Sequence, residues 1–388
     1  MSLHPWAWWC WAISIGIAVN ATTNPLLLLL IATAVVVVVM LRRSDAPWAK
    51  SVRVYLMLAL FVIVMRLFFR ILLGGAQGET VLFTLPSIPL PDWAAGIQLG
   101  GVVTAEAVLT TLYESLRLAV MLLCIGAANA LANPRQALRS VPAALYEAST
   151  AVVIALSVAP QLIESIQRVR RARRLRGDST TSLRSMGTIA MPVLADAIER
   201  SLSLAAGMES RGFARTSGLP TKGTLPVMLV SSMAATLGVF LLLSTDFWQL
   251  SLGLMLLGML GAGLGLRAAG ARLRVTTYRP HPWRSTETLV ALSGALVALI
   301  VLGLGWIDPN TLSPALLALL DPAALTPSTD PLVWPSVPPV MLFVVALVLA
   351  PLPLTRPRPP ATVESTRNDT RVRVLRPRTH AEPEPTWR

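Results

Sequence analysis

The sequence predicts an all-α polytopic membrane protein, a helical bundle with two further helices on its cytoplasmic side. Three observations carry that reading. Apolar residues make up 54% of the 388 residues and charged residues only 14%, against roughly 25% charge in an ordinary soluble chain. Runs such as Pro25 to Leu41 and Gly223 to Leu243 are too long and too uniform for a soluble core. Clusters of basic residues alternate with stretches that have none. This composition excludes a string of soluble domains, general disorder outside the C-terminus, and a disulfide-built secreted fold. Cys10 and Cys124 both lie in apolar stretches, as small core residues do.

The spans follow from the charge pattern. The net charge is +13, and of the basic residues only Lys50 and Lys222 are not arginine. No nucleic-acid motif accompanies this excess, and the rule that cytoplasmic loops are rich in Arg and Lys accounts for it. Span one runs 6–20 outward and span two 24–41 inward, joined by the short turn Asn20 to Asn24. Basic residues follow from Arg42 to Arg53. Span three, 54–73, goes out; the loop Gly74 to Gly101 carries only Glu79 and Asp92; span four, 99–127, returns. After an arginine-dense block from Arg135 to Lys222, 224–243 goes out and 248–266 comes back to the basic run Arg267 to Arg284. Spans 288–306 and 336–354 complete the set, leaving both termini cytoplasmic. The N-terminus has no basic n-region and no small-residue cleavage site, so Met1 to Trp11 is not expected to be a cleaved signal peptide.

Val141 to Ala159 is apolar enough to span, but arginines flank it on both sides: Arg135 and Arg139 before, Arg168 to Arg176 after. It is therefore expected to lie against the inner face of the bundle or at the interface. The predicted organisation is a four-span bundle over 1–130, a cytoplasmic or interfacial region over 131–222, a transmembrane hairpin with a basic loop over 223–285, a further hairpin over 286–354, and a disordered basic tail over 355–388.

Within the cytoplasmic block, Ala159 to Gly177 reads as a helix closed by a glycine. Asp178 to Thr181 offers capping side chains for the next one. After Pro192, the residues Leu194, Ile198, Leu202, Ala205 and Met208 recur at helical spacing opposite Asp196, Glu199, Arg200, Ser203 and Ser210, so this helix is amphipathic. Both helices finish in Arg-Gly: Leu175-Arg176-Gly177 and Ser210-Arg211-Gly212. Such an arginine can serve a helix dipole or grip headgroups. It can also fork into carboxylates or helix C-terminal carbonyls of a partner. Repetition on a helix too polar to span favours docking at two sites on a cytoplasmic partner.

These paired endings, with Val158-Ala159-Pro160-Gln161-Leu162 and the run Met208-Glu209-Ser210-Arg211-Gly212-Phe213, resemble the transmembrane (T) component of energy-coupling factor transporters, the EcfT/CbiQ-like family of importers in the ATP-binding-cassette superfamily. The opening His4-Pro5-Trp6, the run Asn24-Pro25-Leu26 and the segment Tyr278 to Arg284 are similar to that family too. The resemblance covers roughly 1–285. The family usually has Ala-Arg-Gly where this chain has Leu-Arg-Gly and Ser-Arg-Gly; the arginines are kept. The resemblance implies a non-catalytic coupling subunit. Arg176, Gly177, Glu209, Arg211 and Gly212 would dock onto two ABC ATPase subunits, and a membrane-embedded S component would bind the vitamin or metal ion. No GxxxxGK[ST] phosphate loop occurs in the chain.

Charges also fall inside spans three and four: Arg66, Arg70, Glu106, Glu114 and Arg117. Intramembrane charges are costly and pair inside the bundle or serve function. Arg66 and Glu106 come about 10 Å from the outer ends of their predicted spans at ~1.5 Å per residue, so they are expected to pair. Glu114 and Arg117, three apart, can pair with each other. His4, His281 and His380 lie near no Cys or carboxylate cluster, so neither a metal site nor a cofactor is implied. Trp6, Trp8, Trp9 and Trp11 look like an interfacial belt. The Pro- and Arg-rich tail is suited to anionic lipid. Two other classes compete with the coupling subunit. A membrane-embedded transferase needs an acid–base or metal constellation, but no HxxxxD or DxD pattern occurs. A secondary transporter favours inverted repeats, and none is visible.

Overall fold

The computed structural model describes residues 3–43, 52–74, 78–89, 98–141, 145–176, 183–213, 224–244, 247–271, 282–309 and 313–355. Its helices are α1 (Pro5–Asn20), α2 (Pro25–Arg42), α3 (Val52–Leu73), α4 (Ala105–Leu131), α5 (Pro134–Arg139), α6 (Tyr146–Leu175), α7 (Leu183–Ser210), α8 (Thr224–Ser244), α9 (Trp248–Gly270), α10 (Ser285–Gly305), α11 (Pro314–Leu320), α12 (Pro339–Leu349) and α13 (Pro351–Leu354). Among the described residues seven helices are long and apolar enough to cross a membrane, namely α2, α3, α4, α6, α8, α9 and α10. The 16-residue α1 and the α12–α13 stretch are apolar but shorter. The chain is a multi-pass, essentially all-α membrane protein.

Helix starts obey local chemistry. Proline opens α1 and α2, where its missing N–H costs nothing. His4 and Asn24 cap those helices, accepting from the backbone N–H groups of Trp6 and of Leu26 and Leu27 respectively. Three elements differ from the sequence expectation. The chain before α4 is not helical: β1 (Val81–Pro89) and β2 (Gln98–Thr104) form an antiparallel ribbon with two register shifts. Gly100 and Gly101 there take φ of 86° and 106°, and a Cβ on Gly100 would strike the Pro86 carbonyl oxygen. The predicted last span is broken after Leu349 into two short helices, with Pro351 at the start of the second. Finally, 141–159 and the first cytoplasmic helix merge into the single 30-residue α6, which runs through Pro160.

The core lies between α1, α2, α4, α10 and α12, around Trp11, Ile15, Leu28, Ile31, Val297 and Met341. Trp8 and Trp11 belong to it, at 5% and 0% exposure, so only part of the predicted tryptophan belt is interfacial. Cys124 is buried but Cys10 is exposed. Glycine lets backbones close in, as small residues do between membrane helices. A Cβ on Gly294 of α10 would lie 2.8 Å from the Trp11 Cα, and one on Gly126 of α4 would strike the Tyr55 ring of α3. The α8–α9 hairpin is drawn together likewise at Gly238 and Gly258.

Residues from the far end of the chain complete the first hairpin. Asn24 is fully buried, and its Nδ2 donates to the carbonyls of Ala324 (2.7 Å) and Ser336 (2.8 Å) while its Oδ1 caps α2. Thr22 Oγ1 and the Thr23 N–H donate to the Leu325 carbonyl at 2.7 and 2.9 Å. At the opposite end, the guanidinium of Arg42 donates to the Leu352 carbonyl. The α10–α13 region is therefore part of the bundle rather than an appendage to it.

The helices are also unequal in height. Trp6 Nε1 donates to Ser140 Oγ (2.8 Å), just past α5, so α1 starts beside the chain that follows α4 and runs antiparallel to α4. With 16 residues in α1 and 27 in α4, α4 is longer by about 16 Å at ~1.5 Å per residue.

Replacing Asn24 with Ala removes the donor to the buried Ala324 carbonyl and the half-buried Ser336 carbonyl, and the side-chain cap on two helix N–H groups. A loss of about 2–4 kcal/mol is expected, read as a lower thermal midpoint in detergent. Asn24→Asp keeps the cap but not the donors, and should also destabilise.

Candidate functional site

The two arginine endings belong to one antiparallel helix pair. Ser165 Oγ of α6 donates to Asp196 Oδ2 of α7 at 2.7 Å, and Arg200 Nε meets Asp196 Oδ1 at 3.1 Å. The Tyr146 and Phe213 rings lie 6.0 Å apart, which puts the start of α6 beside the end of α7. Their C-termini therefore point in opposite directions. From Tyr146 to Arg176 is 30 residues, about 45 Å along α6, so Arg176 and Arg211 sit at opposite ends of the pair.

Each arginine is the residue that terminates its helix. Arg176 caps α6, its N–H donating to the Arg173 carbonyl at 3.0 Å. At the end of α7, Gly212 donates to the Glu209 carbonyl at 2.9 Å and Phe213 to that of Met208 at 3.0 Å. This is the paired bonding of a Schellman motif, with Gly212 at φ 76°, the left-handed position that glycine fills without strain. Arg211 is thereby held on the last turn. Both arginines are exposed, as is Glu209, and among the described residues neither guanidinium has an ion-pair partner. Gly177 and the expected capping residues Asp178 to Thr181 lie outside the described residues.

The polar side of α7, not its apolar side, meets α6. Hydrogen bonding by Ser165, helped by Arg200, holds the Asp196 carboxyl below the usual carboxylate range. The predicted apolar stripe is uncovered: Leu194, Ile198 and Leu202 are 55%, 50% and 65% exposed. An amphipathic helix with its apolar side open suits a partner or a membrane surface.

The charges of α3 and α4 are matched differently from expectation. Arg66 pairs with Glu114 (3.0 Å), not with Glu106. The reason is the late start of α4. With 98–104 in a strand, Glu106 lies in the first helical turn, and Glu114, about 13 Å into α4, reaches the height of Arg66. Glu106 is buried and accepts from the Thr80 N–H (3.1 Å), tying the β-ribbon to α4. Glu114, taken by Arg66, does not pair with Arg117, whose Nε is buried without a hydrogen-bond partner.

Nothing local signals the Ser165–Asp196 contact, because a serine on an arginine-rich helix looks like surface. The Asn24 network went unseen for a different reason: Asn-Pro marks a helix start, not a tertiary contact 300 residues away. His4 is the α1 cap, with its ring 5.2 Å from that of Trp283; His281 and His380 lie outside the described residues. Among the described residues no group of three or more His, Cys, Asp or Glu could hold a metal ion.

A family model described as CbiQ, cobalt transport protein, matches residues 3–222. No curated protein and no solved structure matches the chain.

Two measurements follow from these contacts. Because the Asp196 carboxyl is depressed in the folded protein, its contact with Ser165 is fully present above the unfolded value near 3.9 and is lost as pH falls through the lower folded value. Spin-label distances between α6 and α7 should therefore be constant from about pH 8 to 5 and lengthen only in stronger acid; Ser165→Ala should move that loosening to higher pH. For the second, Arg66→Leu or Glu114→Leu alone should lower the thermal midpoint, by less than the roughly 3–5 kcal/mol of breaking a fully buried pair, since both side chains are about two-fifths exposed. The double replacement should recover much of the loss.

Proposed function

The chain belongs to the CbiQ family of cobalt transport proteins, and on that premise we propose that it is the transmembrane coupling subunit, the T component, of an energy-coupling factor importer. The observation that supports this most is the antiparallel α6–α7 pair, with Arg176 and Arg211 as equivalent helix-terminating residues about 45 Å apart along α6. A pair of ATPase subunits presents two equivalent grooves well separated in space. A two-ended strut with one forked donor at each tip fits such a pair, whereas a lipid anchor needs no such symmetry.

In this reading Arg176 with Gly177, and Arg211 with Gly212 and Glu209, seat in the two ATPase subunits. Each guanidinium makes bidentate bonds to carboxylates or helix C-terminal carbonyls there. Nucleotide-driven closure of the ATPases moves the two tips, and the Ser165–Asp196–Arg200 contact makes α6 and α7 turn together rather than slide. The open stripe Leu194, Ile198 and Leu202 bears on a membrane-embedded S component, which binds the vitamin or metal ion. The chain performs no catalysis itself: it lacks the GxxxxGK[ST] phosphate loop, and hydrolysis belongs to the ATPase subunits. With both termini cytoplasmic, the arginine-rich segments face the ATPases, and the tail beyond 355 lies near anionic lipid.

The test is affinity purification of the tagged protein in mild detergent, beside an Arg176→Glu, Arg211→Glu variant. The wild type should bring down two ATPase chains and a small hydrophobic chain, with the ATPases lost from the variant. Wild type that carries no ATPase sinks the coupling role and favours an ATP-independent transporter.

A further inference from the structure

Between α1 and α4 runs an open cleft of about 320 Å³. Ala12 and Gly16 of α1 and Met121, Cys124 and Ala128 of α4 give it an apolar wall, and Asn20 lines one end. Its extent along α1, from Trp9 to Asn20, is about 16 Å at ~1.5 Å per residue. One leaflet of a bilayer with a hydrocarbon core of ≈ 30 Å contributes about 15 Å. The floor is kept clear at Gly16, where a Cβ would find no atom within 4 Å.

One end of the cleft is polar. Arg117 lies one turn beyond Met121 on the face of α4 that lines the cleft, since residues 117, 121, 124 and 128 share one helix face; with α1 and α4 antiparallel, that is toward the Asn20 end. The Arg117 Nε is buried without a hydrogen-bond partner, and Glu114 on the same helix is engaged by Arg66. The Asn20 side chain is exposed at the end of α1. A guanidinium and an amide toward the same end of a cleft can both donate to an anionic oxygen.

We propose that this cleft holds one acyl chain of a phospholipid, with the lipid phosphate on Arg117 and Asn20. The apolar trough matches a single chain in length, and its cationic end matches the phosphate. Topology from the basic residues puts Asn20 on the outer side, so the lipid comes from the outer leaflet. The inference stands apart from the coupling role, since it uses none of the residues of α6 or α7.

Native mass spectrometry of the full-length protein in mild detergent, after exchange with dioleoyl phosphatidylglycerol, phosphatidylcholine or dioleoylglycerol, tests it. The wild type should retain one molecule of either phospholipid and little dioleoylglycerol. Gly16→Phe, which fills the trough, and Arg117→Gln should each cut retention by roughly tenfold, while Leu257→Phe on α9 should not. Inorganic phosphate should not compete. Retention equal in all four proteins, or dioleoylglycerol held as well as the phospholipids, overturns the proposal. A photocrosslinker at Ile13 guards against a Gly16→Phe that does not fold: a lipid adduct supports the site, and a polypeptide adduct refutes it.

Discussion

At the turn between α1 and α2 the backbone cannot leave its polar groups to hydrocarbon, and Asn24 meets most of that obligation. It caps one helix with its carbonyl oxygen while its amide nitrogen holds two carbonyls of the C-terminal region. A buried amide with all its bonds made is stable, and one with half of them is worse than none. With Thr22 and Thr23, which donate to Leu325, this residue ties the segment around Ala324 and Ser336 to the turn.

The architecture has two mechanical regimes. Around α1, α2, α4, α10 and α12 the packing is dense and apolar. The α6–α7 pair is the opposite, joined by a polar crossing and one aromatic contact with most of its surface open. The coupling role proposed above would need both. Its input end must meet a partner and move as a strut, and its output end must be anchored in something that does not yield. Stability is set low where motion is wanted and high where a fixed frame is wanted.

Much of this was legible in the sequence. Helix positions followed from hydropathy and arginine spacing, because the bilayer leaves few alternatives to a helix. The matched Arg-Gly endings were readable since a helix stop has a local signature, and the Schellman bonds at Gly212 bear out the predicted stop there. What escaped were the pairings between distant segments. Pairing Arg66 with Glu106 takes the stretch before α4 as helix; a seven-residue strand there moves the register by about two turns. Val81-Leu82-Phe83-Thr84 of the partner strand β1, β-branched and aromatic ahead of two prolines, is the local sign of that ribbon. Nothing local distinguishes Trp8 and Trp11 from interfacial tryptophans, because burial there is imposed by α10, nearly 300 residues later in the chain.

That separation in sequence bears on how the protein is made. The partner carbonyl of Ser336 lies 312 residues downstream of Asn24. At roughly 5–20 residues per second of synthesis, the first hairpin waits on the order of 15–60 seconds with its central amide unsatisfied. During that interval the hairpin must be sheltered by the insertion machinery or by water at the membrane face. A ribosome that stalls before residue 336 leaves an incomplete bundle with an open polar wound. Quality control could recognise such a product by that defect alone, well before any loss of transport is felt.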